Sequence, residues 1–262
     1  MKVVSVVSAT GGTGKTTLAA TLASVLAAEG QRVMAVDLAP QNALRLHFGV
    51  PLDRADGLSR VALDGAAWQR ALARSADGVA VLAFGVPEAS DPQAFERHLD
   101  AHPQWFAQGL AALQPGTADI VLVDTPPGPS VYTRAALGAA HFALNVVLAD
   151  AASYAAYEQT QRMIAAGAAS RPEFIGEACV INQADSSRRL NRDVRQVLRD
   201  VLGEQMFPGV IHSDEGVREA LASNTTVVHY DSSCQATADL RQCGRWLLDV
   251  LNTSGVPRRS VA

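Results

Sequence analysis

The 262-residue chain has almost no lysine: Lys2 and Lys15 are the only two, and every other basic residue is arginine. It has three cysteines, Cys179, Cys234 and Cys243, an odd number placed far apart with no C-x-x-C among them. That excludes a disulfide framework and a four-cysteine zinc site, and three reduced thiols are expected. Charge is scarce too. Charged residues make up 18% and hydrophobic ones 48%, which excludes a disordered acidic or basic chain. The net charge of −4 gives no bulk reason to expect nucleic acid as a partner. Long apolar runs are missing as well. Residues 3–7 fall far short of the ~20 a membrane span needs, and residues 135–149 are interrupted by Gly138, His141 and Asn145. No signal-peptide core precedes the glycine-rich segment, so a cytoplasmic chain is expected.

What is present is an alternation of short β-branched runs and longer helical patterns. Strands are predicted over 3–7, 32–36, 79–84, 120–123, 143–148, 178–181 and, briefly, 210–211. Helices are predicted over 16–29, 95–113 with a break near Pro103, 133–138, 154–167, 187–203, 216–222 and 237–251. Residues 49–78 are the least regular, with one helix expected around 66–74. Strands alternating with helices imply βαβ units and a mostly parallel, twisted sheet flanked by helices. Nothing reads as a linker or repeat. The expectation is one three-layer α/β domain over 1–252, followed by a flexible tail over 253–262.

The informative segment is Ser8-Ala9-Thr10-Gly11-Gly12-Thr13-Gly14-Lys15-Thr16-Thr17. It follows a strand and opens a helix, the context a phosphate-binding loop requires. The glycines let the backbone fold into a nest of N–H donors, and the helix start adds free donors and a positive dipole end. Lys15 supplies a point charge for the β- and γ-phosphates, and the Thr16 hydroxyl can ligate Mg²⁺. Six fixed residues of this kind arise by chance at on the order of 10⁻⁵ per chain of this length. Gly11, Gly12, Thr13, Gly14, Lys15, Thr16 and Thr17 are therefore the candidate nucleotide-binding residues. Two aspartates complete the pattern. Asp37 ends one apolar strand and Asp124 another, and a carboxylate so placed beside a phosphate loop can hold Mg²⁺. Thr16, Asp37 and Asp124 are the candidate metal ligands, Asp37 is the candidate catalytic residue, and ATP and Mg²⁺ are the expected cofactors.

These motifs, with Asp37-Leu38-Ala39-Pro40-Gln41-Asn42 and Asp124-Thr125-Pro126-Pro127-Gly128, resemble the ParA/MinD group of deviant-Walker P-loop ATPases over residues 1–251. The resemblance implies a P-loop NTPase fold and a homodimer formed across nucleotide. It also implies that Asn182, in Cys179-Val180-Ile181-Asn182, contacts the base, and that the loop containing Asp214 covers it. Within the group the chain is most similar to the BcsQ family of cellulose-biosynthesis accessory proteins. That likeness rests on Leu44-Arg45-Leu46-His47-Phe48, Ala62-Leu63-Asp64-Gly65-Ala66-Ala67-Trp68, Leu82-Ala83-Phe84-Gly85 and Ile211-His212-Ser213-Asp214-Glu215. It implies an assembly with cellulose-secretion subunits at the inner membrane. The alternative is a positioning ATPase that moves DNA or another cargo.

Two positions depart from the group. Its signature lysine, which reaches the partner subunit's ATP, is Thr10 here, and its water-activating second aspartate is Ala39. A cation supplied in trans is worth about 10³–10⁵ in phosphoryl transfer, so hydrolysis is expected to be weak or absent. Three other features have plainer readings. Arg188, Arg192, Arg195 and Arg199 share a helix face, read as solvated rather than DNA-binding. The stripe Leu240, Cys243, Leu247, Val250, Leu251 is read as core packing rather than a membrane anchor. His141, His212 and His229 have no metal-ligand spacing, and packing or surface roles are expected for them, as for Trp68 and Trp105.

Overall fold

The structure is a computed structural model that describes residues 1–88, 90–113, 116–168 and 171–253. Seven strands form one sheet: β1 (Lys2–Val7), β2 (Val33–Asp37), β3 (Leu72–Arg74), β4 (Ala80–Leu82), β5 (Ile120–Asp124), β6 (Phe142–Leu148) and β7 (Gly176–Asn182). Their order is β3-β4-β2-β5-β1-β6-β7. All pairings are parallel except β3 with β4. The helices are α1 (Lys15–Ala28), α2 (Leu58–Asp64), α3 (Ala94–Ala101), α4 (Trp105–Ala111), α5 (Val131–Ala139), α6 (Ala151–Gly167), α7 (Arg189–Leu202), α8 (Glu215–Ala222), α9 (Val227–Tyr230) and α10 (Gln235–Asn252). This is the expected three-layer α/β fold.

The continuous apolar strands are explained by burial on both faces of the sheet. Side chains alternate along each strand. Val4, Val6, Ile120 and Leu122 face one core with Leu18, Leu22 and Leu26 of α1 and Leu240, Cys243, Leu247 and Leu251 of α10. Val3, Val36, Val121 and Val123 face the other core, with Phe84, Phe95, Phe106 and Tyr132. The α10 stripe therefore packs on α1, as its spacing suggests. Gly244 permits that approach: a Cβ there would lie 2.5 Å from Val25 Cγ1.

Two sequence expectations are corrected. Residues 66–74 do not form a helix. A helix forms upstream as α2 and stops at Gly65, whose φ of +61° suits glycine. A single 3-10 turn, Trp68–Arg70, then leads into β3. The buried Trp68 ring, 5.0 Å from Trp105 and 5.7 Å from Phe106, sets that turn, and the ladder to β4 claims the backbone of 72–74. Residues 210–211 do not form a strand either. The segment runs beside β7 and the residues after it, joined by two isolated bridges, Cys179 with Met206 and Ala184 with His212, and by the bond from Ile211 N to Ile181 O at 2.9 Å. Pro208, which has no N–H, and Gly209 lie between them and interrupt the ladder. The predicted helix over 95–113 is the pair α3 and α4, parted on either side of Pro103. The expected tail lies outside the described residues, apart from Thr253.

Candidate functional site

The carboxyl ends of the neighbouring strands β2, β5 and β1 lie side by side in the middle of the sheet, and the glycine loop connects β1 to α1 there. Glycine is required where the loop turns. Gly12 has φ +74° and Gly14, which caps α1, has φ +82°. A Cβ on Gly14 would stand 2.4 Å from Asn182 Nδ2. Around these residues the loop is tied down. Ala9 N donates to Thr160 Oγ1 at 3.1 Å, Thr10 N to Ser8 Oγ at 3.3 Å, and Gly128 N to Ser8 O at 2.9 Å. The first intrahelical bond of α1 runs from Leu18 N to Gly14 O, so the N–H groups of Lys15, Thr16 and Thr17 have no acceptor within the helix.

Lys15 is 6% exposed, and its Nζ donates to Thr10 O at 3.3 Å. Burial pushes its pKa below the ordinary lysine value, and the Asp124 carboxylate opposes that shift. Thr16 Oγ1 donates to Asp124 Oδ2 at 2.6 Å. The other oxygen, Asp124 Oδ1, is buried with no hydrogen-bond partner among the described residues. Burial raises the Asp124 pKa to about 6, against the lowering effects of the Thr16 hydroxyl and Lys15. An orphaned buried carboxylate oxygen beside a threonine hydroxyl is a hard oxygen donor set of the kind that suits Mg²⁺.

Asp37 pairs with Asp124 across the β2–β5 ladder. It is fully buried, and both its oxygens already accept backbone N–H groups: Oδ1 from Ala39 at 2.9 Å and Oδ2 from Leu44 at 3.0 Å. Burial first, and then the Asp124 charge, push its pKa well above the usual carboxylate range. What the geometry shows for Asp37 is thus a turn-holding carboxylate facing the Asp124 end of the site. Ala39 is buried beside it and offers no proton acceptor.

The structure also brings Asn182 to the site. Its side chain is turned onto the glycine loop, with Nδ2 donating to Thr13 O at 2.8 Å. Gln183, which sequence reasoning missed, does the same, with Nε2 donating to Gly12 O at 3.1 Å from a backbone at φ +53°. A cleft opens from Gly14, Thr17 and Leu18 past Asn182 and Gln183 to Ile211, His212, Ser213 and Asp214, closed by Val217, Arg218 and Leu240. Asp214 lines it while capping α8. Oδ1 accepts from Gly216 N at 3.0 Å and Oδ2 from Ala236 N at 3.3 Å. His212, expected to be a packing or surface residue, also lines the cleft. No spacing rule could have found it, because its partner Asp239 lies on α10, 27 residues away.

The arginine face of α7 is largely occupied by its own chain. Arg192 Nη1 donates to Ser186 O at 2.7 Å, Arg199 Nη2 to Pro208 O at 2.9 Å, and Arg188 pairs with Asp185 at 2.9 Å. Among the described residues no helix is long and apolar enough to cross a membrane.

The family profile described as "Cellulose biosynthesis protein BcsQ" matches residues 1–248. The chain belongs to the BcsQ family. The BcsQ protein "Cellulose biosynthesis protein BcsQ" of Escherichia coli is 30% identical over 250 residues, covering 94% of this chain and 93% of that protein. Beyond BcsQ proteins, the "Chromosome-partitioning ATPase Soj" of Thermus thermophilus is 31% identical over 228 residues, covering 84% of each. The septum site-determining protein MinD of Pyrococcus horikoshii, solved in complex with Mg-ADP, superposes with a TM-score of 0.77 at 21% identity, covering 97% of this chain and 98% of that one. The BcsQ family thus sits within the ParA/MinD-type group of P-loop proteins.

Proposed function

We propose that this chain is an ATP- and Mg²⁺-binding accessory protein of bacterial cellulose biosynthesis and secretion that dimerises across nucleotide and hydrolyses it slowly or not at all. The observation that carries this reading is an imbalance within one site. The parts that bind are all present: the glycine loop, the buried Lys15, and the Thr16–Asp124 pair with its unpartnered oxygen. The parts that would speed hydrolysis are replaced by Thr10 and Ala39. The loop N–H groups and Lys15 would hold the phosphates, and Thr16 and Asp124 would hold the metal. When bound, Mg²⁺ supplies charge neutralisation at the phosphate oxygens. Asp37 fixes the turn that carries Ala39. Support for ATP and Mg²⁺ comes from the Mg-ADP complex of the structural relative MinD. Support for the cellulose role comes from the family.

In this reading the protein is cytoplasmic and reaches the inner-membrane face through cellulose-secretion subunits, contacting neither nucleic acid nor lipid directly. The test is the steady-state ATP turnover of the wild type beside Thr10→Lys. The wild type is expected to fall far below the about 1–10³ s⁻¹ of ordinary enzymes, and the lysine variant to turn over faster. Wild-type turnover inside that range, stimulated by DNA or another cargo, would instead identify a positioning ATPase.

A further inference from the structure

A second groove lies apart from the cleft. It runs between α3, α5 and α6 and has a volume of about 400 Å³. α3 and α5 pack on the sheet face opposite α1 and α10. The groove shares no lining residue with the cleft at the glycine loop. Two of its walls are drawn together at Gly167 of α6, where a Cβ would stand 2.7 Å from Leu137 Cβ of α5.

Its apolar and charged groups are separated. Val131 and Leu137 of α5, both buried, and the partly buried Met163 of α6 give it an apolar base. The charges stand on the exposed rim. Glu96 and Asp100 are four residues apart on α3, so they share one face a turn apart. Asp100 pairs with Arg134 of α5, and their side chains are 61% and 62% exposed. Glu96 is exposed and has no ion-pair partner among the described residues. Two carboxylates thus face one guanidinium, and the rim is left with a negative charge in excess.

A small-molecule pocket sets a few polar groups among its apolar ones to fix the ligand's orientation. Here the base is apolar and the carboxylates run along one helical wall, which is the complement of an amphipathic helix with a basic flank. We infer that this groove docks a helical segment of a partner protein. The segment lays apolar side chains against α5 and α6 and sets arginine or lysine, one turn apart, against Glu96 and Asp100. Because both carboxylates stay in contact with water, they select the partner and its orientation, and apolar burial supplies most of the affinity. The inference is independent of the nucleotide reading.

The probe is a fluorescent synthetic peptide with leucines along one helical face and arginines one turn apart beside them, titrated with the full chain and followed by anisotropy. The wild type is expected to bind it, and to bind the same peptide with glutamate in place of arginine at least about tenfold more weakly. Glu96→Lys reverses the rim charge and should weaken the arginine peptide about tenfold. Ala166→Trp, at an exposed position of α6 on the groove, should block it by filling the space. Asp193→Lys, an exposed charge reversal on α7, should leave it unchanged. Thermal melting checks that each variant folds. A wild type that does not bind the peptide, or equal affinity in folded Glu96→Lys and Ala166→Trp, overturns the inference. Two results would assign the groove to this chain itself and overturn it also. One is a tenfold gain in peptide affinity on deleting residues 254–262, which carry Arg258 and Arg259. The other is self-association, seen by light scattering, that Glu96→Lys abolishes.

Discussion

The two ends of the cleft are built in opposite ways. The phosphate end comes from one continuous loop plus two strand termini, and its groups are buried: Lys15, Asp37 and Asp124 are all at most 6% exposed. The far end is assembled from three segments distant in sequence, β7 with the residues after it, the stretch 211–214, and α10, and it is more open. The first end turns at Gly12 and Gly14 and is tied down by bonds to Ser8, Thr160, Asn182 and Gln183. The second is held by one buried carboxylate, Asp239, that gathers bonds from His212 and Gln235. One sequence motif suffices to encode the glycine-loop end, whereas the far end has to come from tertiary packing.

The sharpest way to break the comparison is Lys15→Ala. It removes the charge at the phosphate end and leaves the far end intact, and ADP affinity should fall about 100-fold, as loss of a charge-assisted bond allows. Calorimetry checks it. An affinity within a factor of three of wild type would mean the far end does most of the binding. Gly14→Ala attacks the backbone instead. Its methyl group would meet Asn182 Nδ2 at 2.4 Å from a φ of +82°, and urea unfolding should show a loss of about 2 kcal/mol. Asn182→Ala tests the joint between the two ends. It frees Thr13 O, and unfolding should show a loss of about 1 kcal/mol together with weaker ADP binding.

The smallest effect lies away from both ends. His141 Nδ1 accepts the backbone N–H of Val3 at 3.1 Å where β1 begins. Burial first, then Lys2 and Arg171, lower its pKa to about 4. Below the ordinary value of 6.5 the unfolded chain takes up a proton that the folded chain refuses, so stability falls as pH drops from about 6.5 towards 4. His47, buried and also lowered to about 4, acts in the same direction. His141→Asn has an oxygen that can take the Val3 N–H at any pH. Melting temperatures at pH 7 and pH 5 should differ less in this variant than in the wild type, and an equal drop would remove His141 from the account.

The sequence was legible where physics is local. Val3, Val36, Val121 and their neighbours announce buried parallel strands, and Gly11 to Thr17 announce a phosphate loop, because each pattern is complete within a few residues. The α10 stripe was readable for the same reason. The stretch 66–74 was not, because Trp68 settles among Trp105 and Phe106 from elsewhere in the chain. Nor was the short path at 206–212, where Pro208 leaves two bridges in place of a strand. Asp37 was legible as a strand-end carboxylate, but its bonds to Ala39 and Leu44 depend on a turn that position alone does not reveal. The place of His212 in the cleft was invisible, since the carboxylate that holds it is supplied by α10.

The most direct test of the central claim, a nucleotide-binding site stripped of fast turnover, is the nucleotide content and mass of the protein after incubation with Mg²⁺ and ATP. Denaturing extraction and light scattering would be run beside Lys15→Ala. The account predicts a dimer that retains intact ATP, and an empty monomer for the variant. A wild type that is an empty monomer, or one that holds only ADP after rapid turnover, would contradict it.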